Sequence, residues 1–320
     1  MAGYRVGIDV GATNIKIGLF DGDINLKDEL KTLTDQEANI DELMDLIVHF
    51  VHRLLEKNGM TIDGVDGVGV ALPSYIDHER GFVVETSNIM SLNNAPVRDM
   101  LTERLGVKVC IDNDANAAAI AEHELGAGVG FDNMIYAQLA TGIGGGLILN
   151  GKLYRGMHGM AGEIGHMFVS DSTGYPCSCG VTGCVQSISS GVYMGKYATD
   201  RIKEGSDSSI LNYAGTLSNI DMVAVGKALQ TNDSLALEVV NRGAEYLGRM
   251  FQSLNQIFDI NIFIYGGGVA NLGSRFTDRM IAAYRHHSLI DQHYPARFIP
   301  AKFGDKAGMY GAALLANATD

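Results

Sequence analysis

The sequence predicts an α/β protein made of two related halves, and three observations carry that reading. A strand, a glycine turn and a second strand occupy residues 4–20, and the same order returns at residues 134–149. Each unit is followed by an X-Gly turn, Asp21-Gly22 in the first and Asn150-Gly151 in the second. Around them, short apolar runs alternate with longer stretches of helical periodicity, the pattern of strands covered by helices. At 320 residues and 46% hydrophobic, the chain can bury one large core or two.

The elements follow in order. Residues 4–9 read as a buried strand, Val10-Gly11-Ala12-Thr13 turns the chain, and residues 14–20 alternate as a second strand. A tight hairpin with Asp9 at its mouth and the Thr13 hydroxyl beyond it can present backbone N–H groups to a phosphate, although the pattern alone fits a plain turn equally well. Residues 24–33 form a third strand, and Leu43, Leu46, Ile47, Phe50 and Leu54 give residues 39–57 a helical stripe. Residues 65–72 are another buried strand, ending at Pro73-Ser74 in a loop that runs to Asn88. Pro96 opens a helix to residue 105, a strand follows at 107–111, and Asp112-Asn113-Asp114-Ala115-Asn116 stands before a helix at 117–125. Capping that helix explains one of these acids and amides, not three, and the carboxyl end of a strand is where an α/β sheet places its chemistry.

The second unit carries Ala140-Thr141-Gly142-Ile143-Gly144-Gly145-Gly146 between its strands. Paired with the first turn, it points to two halves that both hold phosphates. Further on, 220–230 and 234–258 read as helices, 262–265 as a strand opening into Gly266-Gly267-Gly268, 275–286 as a surface helix and 309–316 as a packed terminal helix. A flat ligand such as an adenine or ribose can lie against Gly266 and Gly267, where no Cβ intrudes. His286 and His287 read as solvated.

Met160-Ala161-Gly162-Glu163-Ile164-Gly165-His166 and the loop Cys177-Ser178-Cys179-Gly180-Val181-Thr182-Gly183-Cys184 form the densest chemistry in the chain. Glu163 and His166 share a face at a three-residue spacing. His166, Cys177, Cys179 and Cys184 supply one imidazole and three thiolates, a closed tetrahedral zinc set, against the alternative of an unligated loop with buried thiols. The metal's purpose would be to fix the segment that carries Glu163.

Charge and hydropathy narrow the classes. A net charge of −13 without a basic run argues against nucleic acid. No apolar run approaches a membrane span, the N-terminus becomes polar too early for a signal peptide, and the cysteines suit a reducing compartment, so a cytoplasmic protein is expected.

At these residues the chain resembles the ROK family (repressor, open reading frame, kinase), most specifically at Glu163-Ile164-Gly165-His166 with the cysteine loop, at Asn113-Asp114, and at Thr141-Gly142-Ile143-Gly144-Gly145-Gly146. The resemblance implies the two-domain sugar kinase, actin and Hsp70 fold (ribonuclease H-like), with an interdomain cleft. The N-terminal domain would span residues 1–116 and be completed by the C-terminal helix at 303–320; the larger domain with the zinc loop would span 117–302. It implies phosphorylation of a hexose, usually at C6, with ATP and Mg²⁺ as cofactors beside structural Zn²⁺, and a homodimer. Asp114 matches the catalytic base and Asn113 its sugar-binding neighbour. Glu163 and His166 match sugar contacts, with one His166 ring nitrogen on zinc and the other toward the sugar. Ser74 and Asn88 stand near the sugar. Asp9, Gly11 and Thr13 match the first phosphate motif, and Thr141, Gly142 and Gly144 the second.

Three departures stand out. The first motif has Ala12 and Asn14 where many members have glycine and lysine; Lys16, on the same strand face, is a substitute cation. Thr86-Ser87 precedes Asn88 in place of a proline. Gln186 replaces a glutamate that contacts the sugar, so a KM for free hexose raised about tenfold is expected, unless Gln186 only caps or packs in the helix after Cys184. The leading expectation is a glucokinase, with mannose, fructose, allose and N-acyl hexosamines as alternative substrates. A sugar-responsive repressor would need a DNA-binding domain before the first phosphate motif, where eight residues precede Asp9. Retention of Asp114 and both turns argues against a relative that has lost catalysis.

Overall fold

A computed structural model describes residues 3–86, 88–171 and 173–316. Ser87 and the last four residues of the expected terminal segment lie outside the described residues. The chain divides into two compact units, one of residues 1–132, 146–162 and 302–320, the other of residues 133–145 and 163–301.

The first unit contains β1 (Tyr4–Val10), β2 (Asn14–Phe20), β3 (Leu26–Leu33), α1 (Ile40–Lys57), β4 (Val65–Leu72), β5 (Tyr75–Asp77), β6 (Phe82–Glu85), α2 (Val97–Leu105), β7 (Val109–Asn113) and α3 (Asp114–Leu125). Its main sheet runs β3-β2-β1-β4-β7, antiparallel from β3 to β1 and parallel from β1 through β4 to β7. α1 begins at a capping box, with Asn39 Oδ1 accepting from Glu42 N and Glu42 accepting from Asn39 N. It buries Leu43, Met44, Ile47, Val51, Leu54 and Leu55 on one side of the sheet. Read as a loop from sequence, residues 75–85 fold into the small hairpin β5-β6.

Beyond residue 133 come β8 (Met134–Leu139), β9 (Ile143–Leu149), β10 (Lys152–Leu153), α4 (Gln186–Ser189), α5 (Gly191–Lys203), α6 (Ile210–Ala214), α7 (Met222–Gln230), α8 (Ser234–Phe258), β11 (Ile262–Gly266), α9 (Ser274–His287), β12 (Arg297–Pro300) and α10 (Ala307–Leu315). The second sheet has the order β10-β9-β8-β11-β12. Asn150 and Gly151 make the β9-β10 turn with φ of 53° and 73°, as an X-Gly hairpin requires. Phe251, Phe263, Tyr284 and Phe298 form an aromatic cluster under α8 and α9, with ring centroids 5.0–5.9 Å apart. His287, read as solvated, instead places Nε2 3.0 Å from Glu245 Oε1, because the last turn of α9 runs beside α8.

The units do not follow the expected boundary after residue 116. α10 lies on β1 and β4 at backbone distance, since a Cβ on Gly7 would stand 2.2 Å from Met309 O and one on Gly69 1.8 Å from Ala312 O. α3 packs on the same helix: a Cβ on Gly311 would stand 1.8 Å from Ala117 O. Glu122, buried in α3, accepts from Lys302 N (3.0 Å), Phe303 N (2.8 Å) and Ala127 N (2.9 Å). These contacts hold all of α3 in the first unit.

Candidate functional site

The acids and amides after β7 divide their work. Asn113 caps α3, its Oδ1 accepting from Ala115 N at 2.8 Å and Asn116 N at 3.1 Å, while its Nδ2 donates to Ser74 O at 3.2 Å. Asp112, 2% exposed, is the hub: one oxygen accepts from Asn113 N (2.8 Å) and Asn116 Nδ2 (3.0 Å), the other from Arg155 Nε (2.8 Å) and Nη2 (2.7 Å). His78 stands 3.9 Å from the same carboxylate. Asp114, the first residue of α3, is half-buried, and its Oδ1 accepts from its neighbour Ala115 N at 2.9 Å. Arg155 carried no signal in the sequence, because its partner lies 43 positions away.

Ser74 is buried, and among the described residues its Oγ has no hydrogen-bond partner. Asn88 is exposed, its N–H donating at 3.1 Å to Thr86 Oγ1, which itself donates to Pro73 O at 2.8 Å.

The first glycine turn closes with Gly11 N donating to Asn14 O at 2.9 Å, while Thr34 donates to Gly11 O (Oγ1, 2.7 Å) and Thr13 O (N, 3.0 Å). Ala12 and Thr13 sit at its tip, Thr13 exposed. Asp9 pairs in register with Lys16. Burial pushes the Asp9 carboxyl up to about 7, with the Asp114 carboxylate adding to the rise and Lys16 opposing it. Lys16 Nζ is engaged by Asp305, at 3.0 Å from Oδ2 and also on its carbonyl oxygen.

In the second unit, the turn after β8 closes with Ala140 N donating to Gly142 O at 2.9 Å, and the start of α5 holds it from outside, Gly191 N donating to Ala140 O at 2.8 Å. Thr141 stands at the rim of a cavity of about 730 Å³ reached also by Val192, Met222, Lys227 and Gly268. That volume suits a nucleoside-sized ligand. Gly266 and Gly267 do not line it. A Cβ on Gly267, at φ +100°, would stand 2.4 Å from Leu139 O, and one on Gly266 would stand 3.0 Å from Ala301 Cβ, so packing accounts for both. Gly268, with open space around it, is the glycine of that run that faces the cavity. α5 was not anticipated from sequence, nor was the part α7 takes in the wall.

The stretch at Glu163 is a single 3₁₀ turn, Ile164–His166, with His166 N donating to Glu163 O at 3.0 Å. Gly165 is required here, since a Cβ would meet Ile143 O at 2.2 Å, which seats this turn on the start of β9. His166 Nε2 lies 4.0 Å from Glu163 Oε2, and Nδ1 lies 3.5 Å from Cys177 Sγ. Cys179 Sγ and Cys184 Sγ are 3.6 Å apart, and the ligand atoms of His166, Cys177, Cys179 and Cys184 all fall within 4.8 Å of one another. A tetrahedral zinc with bonds of about 2.3 Å to sulfur and about 2.0 Å to nitrogen has edges of about 3.5–3.8 Å, so the donor set fits. Burial and the neighbouring sulfurs push the Cys184 thiol up to about 12, so its thiolate would form only with a cation beside it.

Gln186 opens α4. Its Oε1 accepts from Ile143 N at 3.0 Å, and its Nε2 reaches Ser178 Oγ at 3.4 Å. The side chain thus lies on the glycine turn, and not within α4 as a cap.

Among the described residues, no helix is long and apolar enough to cross a membrane. The chain is 32% identical to a glucokinase of Halalkalibacterium halodurans over 98% of its length and 94% of that protein. It is 31% identical to an N-acetylgalactosamine kinase of a Shewanella species over 98% of this chain and 97% of that one. The crystal structure of a ROK family glucokinase from Streptomyces griseus, in complex with glucose and AMPPNP, superposes with a TM-score of 0.85 at 32% identity, covering 98% of this chain and 99% of that one. The architecture is accordingly the sugar kinase fold related to actin and Hsp70. The family model described as ROK matches residues 5–319, the span that holds both glycine turns, Asp114 and the cysteine loop, and the chain belongs to the ROK family.

Proposed function

We propose that the protein is an ATP-dependent hexose kinase that transfers the γ-phosphoryl group of ATP to the 6-hydroxyl of a hexose, glucose foremost. The observation that carries this reading is the likeness over nearly the whole chain to a glucokinase whose structure holds glucose and an ATP analogue.

Asp114 accepts the proton of the 6-hydroxyl as the oxygen–phosphorus bond forms, and ADP leaves as the bond to the β–γ bridging oxygen breaks. Its place at the N-terminus of α3, with Asn113 capping and Asp112 bound by Arg155, supports a base held in one orientation. Asn113, Glu163 and His166 hold sugar hydroxyls, with Ser74 and Asn88 at the same substrate. The buried, unpartnered Ser74 hydroxyl suits a ligand hydroxyl or a water. Asp9, Gly11, Ala12, Thr13 and Asn14 of the first glycine turn, and Thr141, Gly142 and Gly144 of the second, take phosphates through backbone N–H groups. The nucleoside occupies the cavity at Thr141, Val192 and Gly268.

Asp9, a buried carboxylate at the mouth of the first glycine turn, is the residue that would hold Mg²⁺, which would supply neutralisation of the triphosphate. His166, Cys177, Cys179 and Cys184 would hold zinc, which supplies rigidity and fixes the His166 tautomer, Nδ1 on the metal and Nε2 toward Glu163 and the sugar.

The test is a panel of glucose, mannose, fructose, allose and N-acyl hexosamines with Mg-ATP, read by ADP release. Glucose should give the highest kcat/KM; a clear preference for an N-acyl hexosamine would move the assignment toward the Shewanella relative's activity, and no turnover with any sugar would refute the kinase.

A further inference from the structure

The turn at residues 140–144 is gripped by a few named contacts. Gly191 N and Val192 N, at the start of α5, donate to Ala140 O (2.8 Å) and Thr141 O (3.4 Å). On the opposite edge, the Ile143 N–H is taken by a side chain, Gln186 Oε1, at 3.0 Å. The amide presses close: a Cβ on Gly142 would stand 3.2 Å from that oxygen. Its other end reaches Ser178 Oγ at 3.4 Å, between Cys177 and Cys179.

We infer that Gln186 is a positioning residue for the nucleotide: its amide bridges Ile143 of the second glycine turn to Ser178 of the cysteine loop and sets the backbone that receives the phosphates. The identity of the ligand, a nucleoside di- or triphosphate, rests on the kinase reading. The physical case is one of satisfied donors. An N–H in a turn that must present neighbouring N–H groups to phosphate has to be held in one direction, or the turn relaxes and each phosphate contact is made at the cost of reordering it. A side-chain acceptor does this without closing the turn from the ligand's side. Glutamine is apt because one end accepts from Ile143 while the other donates to Ser178; a carboxylate would keep the first bond and could keep the second only with the Ser178 hydroxyl turned to donate. The cysteine loop, braced by the Phe168–Cys184 and Pro176–Thr182 bridges, then acts as the fixed post to which the turn is tied.

The consequence is a division that a purely structural role would not produce. Gln186→Met, similar in size and without polar atoms, should raise the Kd for ADP and the KM for ATP about tenfold, the scale of one lost hydrogen bond with its partner left unpaired, while the affinity for glucose stays within about twofold. Gln186→Glu keeps the acceptor and should stay within about threefold of wild type for ADP. Calorimetric titrations with ADP and with glucose, made separately, read both affinities directly. A wild type that binds ADP yet phosphorylates no hexose would fail the kinase reading while leaving the nucleotide comparison interpretable. Should Gln186→Met not fold, Ser178→Ala, at an exposed position, cuts the same bridge from its other end and should weaken ADP about threefold. Unchanged ADP affinity in the folded variant, or a loss of glucose affinity in place of ADP affinity, overturns the inference.

Discussion

Replacing Arg155 with methionine tests whether the Asp112 hub supports the turn that carries Asp114. Asp112 is 2% exposed, and Arg155 donates both N–H groups that one of its oxygens receives within hydrogen-bond distance, at 2.8 and 2.7 Å. Without the guanidinium, His78 stands near that oxygen among the described residues, at 3.9 Å, beyond a direct hydrogen bond. Breaking a buried pair from one side costs about 3–5 kcal/mol, and because the Arg155 side chain is itself 27% exposed the lower end applies. A loss of about 3 kcal/mol corresponds to a fall in Tm of roughly 6–12 °C for a unit of this size. Combining Arg155→Met with Asp112→Asn removes the stranded charge and should restore most of the stability, so the double-mutant cycle isolates the pair. Turnover should still fall roughly ten- to hundredfold in Arg155→Met at a temperature where it is folded, since the carboxylate that orders Asn113 N and Asn116 Nδ2 beside Asp114 is no longer fixed. Differential scanning calorimetry and steady-state kinetics on the three variants decide it. A Tm within 2 °C of wild type, or a double variant less stable than Arg155→Met, would refute the hub, the threshold being about 1 kcal/mol.

Asp114→Asn should retain glucose binding by calorimetry while kcat falls about 10²-fold or more; turnover within a few-fold of wild type would remove Asp114 as the base. Cys179→Ser should lose stoichiometric zinc and loosen residues 163–186, read by metal analysis and hydrogen exchange; wild-type protein purified without zinc would contradict the metal site. The raised Asp9 carboxyl makes two further statements about pH. With a folded value of about 7 against an ordinary 3.8, its favourable contribution is full below the unfolded value and is lost as pH rises through about 7, so Asp9→Asn should stabilise the nucleotide-free protein by about 3 kcal/mol more at pH 8 than at pH 5. If ionised Asp9 is needed for Mg-ATP, kcat/KM for ATP should rise through about pH 7 in the wild type, and a flat profile from pH 6 to 8 would contradict that role.

What could be read from the sequence rests on chemistry confined to a few neighbouring residues. The capping box Asn39/Glu42, the Asn150-Gly151 turn and the strand at Val65–Leu72 depend on local backbone and hydrophobic period, and they fold as expected. The gathering of one imidazole and three thiols was legible for the same reason: three thiols in one short loop need only one imidazole from the preceding turn, and His166 is brought to them. Tertiary structure decided everything that depends on who sits opposite. The glycines show it most plainly: Gly7, Gly69 and Gly311 look like weak strand and helix formers until α10 is laid against backbone, and Gly267 looks like part of a ligand cradle until Leu139 O stands behind it. Arg155 lies in a stretch with no periodicity, and its partner is a buried carboxylate 43 residues earlier. Gln186 is a single amide whose meaning changes with the atom it meets, Ile143 N here. Periodicity and spacing report which face a residue occupies; the identity of the group it faces is a property of chain segments far apart in sequence, and it exists only once α3 and α10 share a unit and α4 and α5 lie against the second glycine turn.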